Sequence, residues 1–212
     1  MNWISEHSSV LNVFINGAML VVWITYLHLG LVAYLRQRKP RIVINRGSGT
    51  DTDCLCFVSN LSQEPIYVQS VYATVNTTCG AFSITVTDRE LLQRSGSERR
   101  PEEVRSQGPL RQGDFMSLGT FRNIIKVVER DTDLRSKTES ELGEVIQSVD
   151  VMVVAAFGGD DLEIAARREY RVSTDQDPWK VVPVGPATKQ ISRGRDRKQI
   201  REMIQENLEK EA

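Results

Sequence analysis

The chain has 212 residues, with 27 basic and 28 acidic side chains and a formal net charge of −1. That balance excludes a global electrostatic pull toward nucleic acid or acidic ligands. Three cysteines, an odd count, exclude a scaffold built on disulfides.

The first predicted element is Val10–Leu35, VLNVFINGAMLVVWITYLHLGLVAYL, which holds no Asp, Glu, Lys or Arg. About 20 apolar residues cross a hydrocarbon core of roughly 30 Å, so this run predicts a single N-terminal transmembrane helix, with residues 1–9 as a short outer tail. A cleaved signal begins with a basic region and ends in small residues. Here no Lys or Arg precedes the run, and it ends Tyr34-Leu35-Arg36, so a retained anchor is expected. Arg36, Arg38, Lys39, Arg41 and Arg46 follow the span, whereas Glu6 is the one formally charged side chain before it. Basic flanks stay in the cytoplasm. The expected placement is therefore the cell (inner) membrane, single-pass, with the N-terminus outside and the C-terminal domain cytoplasmic.

Within the span, Asn12, Asn16, Met19, Trp23, Gly30 and Tyr34 fall on one helical stripe. Two readings of this stripe stand side by side. Asn12, Asn16 and Gly30 form a helix-association face, where amide bonds between helices contribute about 1–2 kcal/mol or less; or both amides lie wet at headgroup depth. His28 is on another side. Ionisable residues in spans often mark function, and a neutral imidazole bonded to a carbonyl or water near the inner interface is the plainer account.

Residues 36–41, RQRKPR, form a basic linker in which Arg36, Arg38, Lys39 and Arg41 are candidate contacts to anionic lipid, at ~1 kcal/mol per charge. Simple marking of topology explains the same cluster. Pro40 discourages helix beyond residue 39.

Strands are predicted next: 42–44, 53–59, 65–75 and 81–87, separated by short turns, as in an antiparallel sheet. In the third, Ile66, Val68, Ser70, Tyr72 and Thr74 would face one way and Tyr67, Gln69, Val71, Ala73 and Val75 the other. Residues 93–112 are polar and hold both Gly and Pro, which predicts a long exposed loop. Phe121, Ile124, Ile125 and Val128 follow i, i+3, i+4, i+7 spacing, so 120–130 is predicted helical, with Asp114 or Ser117 capping a preceding turn. Residues 129–144 read as a second charged loop. A hairpin follows: 145–157, a Gly158-Gly159-Asp160-Asp161 reversal, and 162–173 returning. On the return strand Leu162, Ile164, Ala166, Arg168, Tyr170 and Val172 share one face; Glu163, Ala165, Arg167, Glu169 and Arg171 share the other, which should see water. Residues 179–184 give a last short strand. About seven strands in this length fit a sandwich.

The tail, 196–211, is predicted to be an amphipathic helix with Ile200, Met203, Ile204 and Leu208 on one face. Its basic start and acidic end oppose the helix macrodipole, which points to something outside the helix, such as anionic lipid, a partner or the acids of 139–144. A solvated, frayed tail is the alternative.

Both histidines precede residue 36, so Ser-His-Asp and Cys-His catalysis and the usual zinc sites are not expected downstream. Cys54 and Cys56 share one strand face and read as small core residues. The sequons at Asn60 and Asn76 should stay unmodified in the cytoplasm. No catalytic residue, cofactor or metal ligand is expected.

Two resemblances stand on specific residues. A span ending in basic residues, joined to IVINRG at 42–47 and CLCFVSNLSQEPIYV at 54–68, resembles a set of uncharacterised bacterial single-span membrane proteins, which implies no particular function. Ala166-Arg167-Arg168-Glu169-Tyr170 after a hairpin is similar to the immunoglobulin-like cytoplasmic domain of inward-rectifier potassium channels. The second span and pore loop of those channels have no counterpart here, so channel activity is not implied.

The expected organisation is thus mainly β. A transmembrane helix (10–35) and a basic linker (36–41) lead to a cytoplasmic immunoglobulin-like antiparallel β-sandwich (42–186) with one inserted helix, then a charged amphipathic helical tail (187–212). The expected function is a membrane-tethered binding or scaffold module acting through protein–protein contact and self-association, with membrane lipid as a second partner and no nucleic acid. The alternatives are an accessory subunit of a channel or transporter, and an enzyme using carboxylates or Cys54 and Cys56.

Overall fold

A computed structural model describes residues 7–37, 39–86, 107–136, 138–158 and 163–192. The chain divides into two compact units, Met1–Lys39 and Pro40–Ala212.

The first unit is one helix, α1 (Ser8–Gln37). It stops shortly before Pro40, whose ring disfavours helical backbone in the residue ahead of it. Thr25 spends its hydroxyl on the Val21 carbonyl one turn back, at 2.8 Å, so this polar atom is met inside the helix. The large apolar side chains point in every direction, and all but the half-buried Val32 are exposed, from 48 % at Ile15 to 75 % at Leu27. The helix is long and apolar enough to cross a membrane.

The second unit is mainly β. Its strands are β1 (Ile42–Arg46), β2 (Leu55–Asn60), β3 (Ile66–Thr77), β4 (Gly80–Val86), β5 (Gly108–Leu110), β6 (Phe115–Thr120), β7 (Ile146–Phe157), β8 (Ile164–Ser173), β9 (Lys180–Pro183) and β10 (Lys189–Ile191). All pair antiparallel. One sheet runs β1-β2-β6; the larger runs β10-β8-β7-β3-β4, with β9 beside β8 and β5 beside β3. A single buried cluster draws on both sheets, including Ile44, Cys56 and Val58 from the smaller and Val75, Val151 and Tyr170 from the larger.

The first four strands are those expected, but they divide between the sheets. β2 pairs with β6, and β3 with β7 and β4. Asn60 makes the change of sheet possible. Its side-chain amide donates to the carbonyls of Glu64 and Leu110, both at 3.0 Å, and its oxygen accepts the Ser62 N–H at 2.8 Å. A buried turn with its polar groups met in this way carries no desolvation penalty. The alternation predicted for β3 also fails midway. A register shift between Val68 and Ser70 inserts one extra residue against β7, and a bulge of that kind reverses which face each later residue takes. Ile66, Val68, Val71, Ala73 and Val75 therefore all enter the one core.

Residues 115–120 form strand β6, and as expected Asp114 closes the turn ahead of it, its carboxylate accepting the Arg111 N–H at 3.1 Å; another residue caps the helix. Thr120 does so, accepting the Asn123 N–H at 3.2 Å. Helix α2 (Phe121–Arg130) buries Phe121, Ile124, Ile125 and Val128 as the spacing predicts. The Phe121 ring meets Tyr170 edge-on, with centroids 4.7 Å apart. Part of the expected 129–144 loop is helical too: a 3-10 turn at Asp133–Ser136 and helix α3 (Glu139–Val145). A capping box starts α3, with the Thr138 N–H donating to Glu141 at 2.7 Å and the Glu141 N–H returning to the Thr138 hydroxyl at 3.4 Å. Among the described residues two helices, not one, are inserted among the strands.

β7 and β8 make the expected hairpin, and Gly158 turns out of β7 with φ +52°. Ile164, Ala166, Tyr170 and Val172 face the core. Arg167, Glu169 and Arg171 are exposed, but Ala165, expected in water, is buried with Tyr72 and Val154 in a second apolar cluster. β10 lies past residue 186, where the strands were expected to end. The predicted 196–211 helix and residues 93–106 of the predicted loop fall outside the described residues.

Candidate functional site

On α1 the predicted association stripe stands at regular helical spacing, and Asn12, Asn16 and Gly30 are all exposed on it. A Cβ placed on Gly30 would meet nothing within 4 Å, so nothing in this unit uses that opening. In the basic flank, Lys39 and Arg41 are exposed. The Arg36 side chain and Arg38 lie outside the described residues. Arg41 is anchored through its backbone: its N–H donates to the Ser62 hydroxyl at 2.8 Å and its carbonyl accepts the Leu61 N–H at 2.8 Å. The chain thus enters the β unit at the Asn60 turn, where Asn60 is fully buried.

A concavity lies beside α2. Arg122, Ile125, Lys126 and Glu129 line one side, and Thr52, Leu142 and Trp179 close the others, around about 100 Å³. That is space for a few waters or the end of one side chain, below the roughly 300 Å³ of typical small-molecule sites. Backbone bonds fix its walls. The Thr52 N–H donates to the Trp179 carbonyl at 2.8 Å, and the Arg122 N–H to the Thr52 carbonyl at 2.7 Å. Trp179 lies close over Gly143, where an added Cβ would come within 3.1 Å of the indole, so a side chain there would require the ring to give by a few tenths of an ångström. Arg122 pairs with Asp53 at 2.7 Å. Lys126 is exposed at the rim, and the buried Thr52 hydroxyl has no hydrogen-bond partner. The cleft offers a mixed-charge rim, an indole wall and one unmet hydroxyl.

Groups that could carry chemistry are committed elsewhere. Cys54 and Cys56 are buried and free, and burial raises the pKa of each, so both stay as thiols. Burial likewise raises the Tyr170 phenol, whose hydroxyl has no partner, while the Arg168 guanidinium lies 5.6 Å from the ring centroid. Arg168 also donates to the Ile44 carbonyl at 2.7 Å. On the outer face of the larger sheet Asp150 is buried. Burial raises its carboxyl, against the opposing charge and hydrogen bond of Arg167. Among the described residues no group of three or more His, Cys, Asp or Glu could hold a metal ion.

Sequence spacing did not reveal the cleft, because Thr52, α2, Leu142 and Trp179 come from four separate stretches of chain. Trp179 beside a charged helix face carried no local signal, and neither did the Asp150–Arg167 pair. No family model, curated protein or solved structure matches the chain.

Proposed function

We propose that this protein is a single-pass, membrane-tethered binding module. α1 crosses the cell membrane with its N-terminus outside, and the β unit works in the cytoplasm through contact with another protein. The observation that carries this reading is α1: thirty helical residues whose apolar side chains are exposed all round. In water such a surface is costly at about 25 cal/mol per Å², whereas lipid accepts it. The basic flank, with Lys39 and Arg41 exposed, supports the orientation and an added contact with anionic headgroups. Three free thiols suit a reducing compartment. Two antiparallel sheets sharing one core support an immunoglobulin-like sandwich as the binding domain.

We place the partner contact at the α2 cleft, whose size fits one inserted side chain and whose indole and arginine are residue types that anchor interfaces. Asn12, Asn16 and Gly30 are the proposed face for self-association in the membrane. Purification in mild detergent tests both. The wild-type chain should retain a specific partner that Lys126→Glu loses, while Asn12→Leu with Asn16→Leu should reduce cross-linked homo-oligomer and keep that partner. A stoichiometric large membrane protein that both variants retain would instead make this chain an accessory subunit.

A further inference from the structure

The end of the β unit at which the chain enters from the span carries bare apolar side chains. Backbone bonds draw Arg41, Leu61, Arg111 and Asp114 together there. The Leu61 N–H donates to the Arg41 carbonyl at 2.8 Å, the Asn60 N–H to the Asp114 carbonyl at 3.0 Å and the Asp114 N–H to the Arg111 carbonyl at 3.1 Å. Leu61 follows Asn60 and Phe115 follows Asp114, so the Asn60–Asp114 bond brings both side chains to this end. Leu61 is 51 % exposed and Phe115 66 %. Phe115 stands opposite Ser59, and Ser59 opposite Val43, on the outer face of the smaller sheet. The Phe115 ring meets Phe57 edge-on, with centroids 5.5 Å apart, and Phe57 and Val43 are half-buried. A lone exposed apolar residue needs no explanation, whereas a group of them rimmed by polar residues marks a contact surface.

The surrounding charge and the length of the tether identify what covers it. Arg41 and Arg111 are exposed beside the patch. Asp114 turns its carboxylate to the Arg111 N–H at 3.1 Å. In sequence Arg36, Arg38 and Lys39 lead directly into Arg41. Apolar side chains within a basic border match an anionic leaflet, which attracts the cations and accepts leucine and phenylalanine at headgroup depth. Only residues 38–41 separate the last residue of α1 from β1, so the covalent chain keeps this end within about 18 Å of where α1 leaves the lipid. We infer that this end of the β unit rests on the anionic inner leaflet, with Leu61 and Phe115 inserted among the headgroups and Arg41 and Arg111 on their charges. The inference rests on the membrane-spanning reading of α1 and adds to it a second lipid contact, made by the β unit itself.

Fluorescence quenching in bilayer discs tests the docking, with the full-length chain, one per disc, in phosphatidylcholine and phosphatidylserine carrying a headgroup-nitroxide lipid. The dye is placed at Gln63→Cys in a Cys79→Ser background, which leaves Leu61 and Phe115 intact. Native Cys79, exposed in the turn at the far end of β3, is the reference; the 12 residues of β3 put about 36 Å between the two ends. Quenching should be several-fold stronger at residue 63 than at residue 79, and should weaken in discs of phosphatidylcholine alone. The tether by itself keeps this end near lipid, so the deciding comparison is Leu61→Ser with Phe115→Ser. That pair should lower quenching at residue 63 several-fold while the urea midpoint stays unchanged. Unchanged quenching in the double variant, or equal quenching at the two dye positions in chains that stay in the discs, would overturn the docking and leave the tether standing. Quenching that needs two chains per disc would assign the surface to a second copy and also overturn it. Loss of the chain from the discs would sink the tether reading and the docking together.

Discussion

Helices α1 and α2 carry their apolar residues in opposite ways. α1 is apolar on every side, without a charged residue from Val10 to Leu35, and its side chains are exposed. α2 is ten residues long, confines Phe121, Ile124, Ile125 and Val128 to one stripe, and buries all of them. The difference lies in how the apolar positions are distributed around each helix axis. A stripe needs one packed face and leaves polar residues such as Arg122 and Lys126 for water. A full apolar ring has no such division and is stable only where the whole surroundings are apolar. Substitutions that treat the two helices alike should therefore act on different observables.

The largest effect is expected at α2. Phe121→Ala removes a fully buried ring packed on Tyr170 and should destabilise the β unit by about 3–5 kcal/mol in urea unfolding, with membrane retention unchanged. A loss of membrane retention without unfolding would break the distinction. At α1, Val22→Arg puts a charge at mid-span and should weaken insertion by about 2.5–3.5 kcal/mol, read as release by carbonate washing, while the β unit keeps its unfolding midpoint. A smaller effect is expected at Gln190. Its amide accepts the Ile42 N–H at 3.1 Å and donates to the Ile42 carbonyl at 2.5 Å, while the Thr188 hydroxyl serves Ile44 in the same way. These side chains close the outer edge of β1 where a strand would otherwise pair. Gln190→Ala should cost about 1–3 kcal/mol and speed amide exchange in β1 but not in β2, which sharpens the claim that this edge is sealed by side chains.

The smallest effect depends on pH. Burial raises the Asp150 carboxyl above its ordinary value despite Arg167, so the folded chain holds that proton more tightly than the unfolded chain. Its contribution to stability is complete below the unfolded pKa of about 4 and is lost as pH rises through the raised folded value. Asp150→Asn should flatten this decline. Urea midpoints measured from pH 4 upward would contradict the assignment if wild type and variant ran parallel.

Much of the fold was legible where one strong local signal acts alone: the uncharged run of α1, the i, i+3, i+4, i+7 spacing of α2 and the glycine reversal after β7. The bulge at Val68–Ser70 was not, because only pairing with β7 reveals the extra residue. β5 and β10 are three residues each and exist through their partners, β3 and β8. α3 carries a local signal, the capping-box pattern Thr138-x-x-Glu141, but it sits inside a charged stretch that otherwise reads as loop. The candidate cleft was the least legible part, since Thr52 and Trp179 meet only after the sheets form.

The central claim, that α1 spans the membrane and leaves the β unit on the reducing side, has a reporter already in the chain. Cys79, in the turn between β3 and β4, is exposed, whereas Cys54 and Cys56 are buried. A membrane-impermeant maleimide added to sealed spheroplasts should leave Cys79 unlabelled and should label it fully after the membrane is opened. Labelling of Cys79 in the sealed spheroplasts would place the β unit outside and contradict the account.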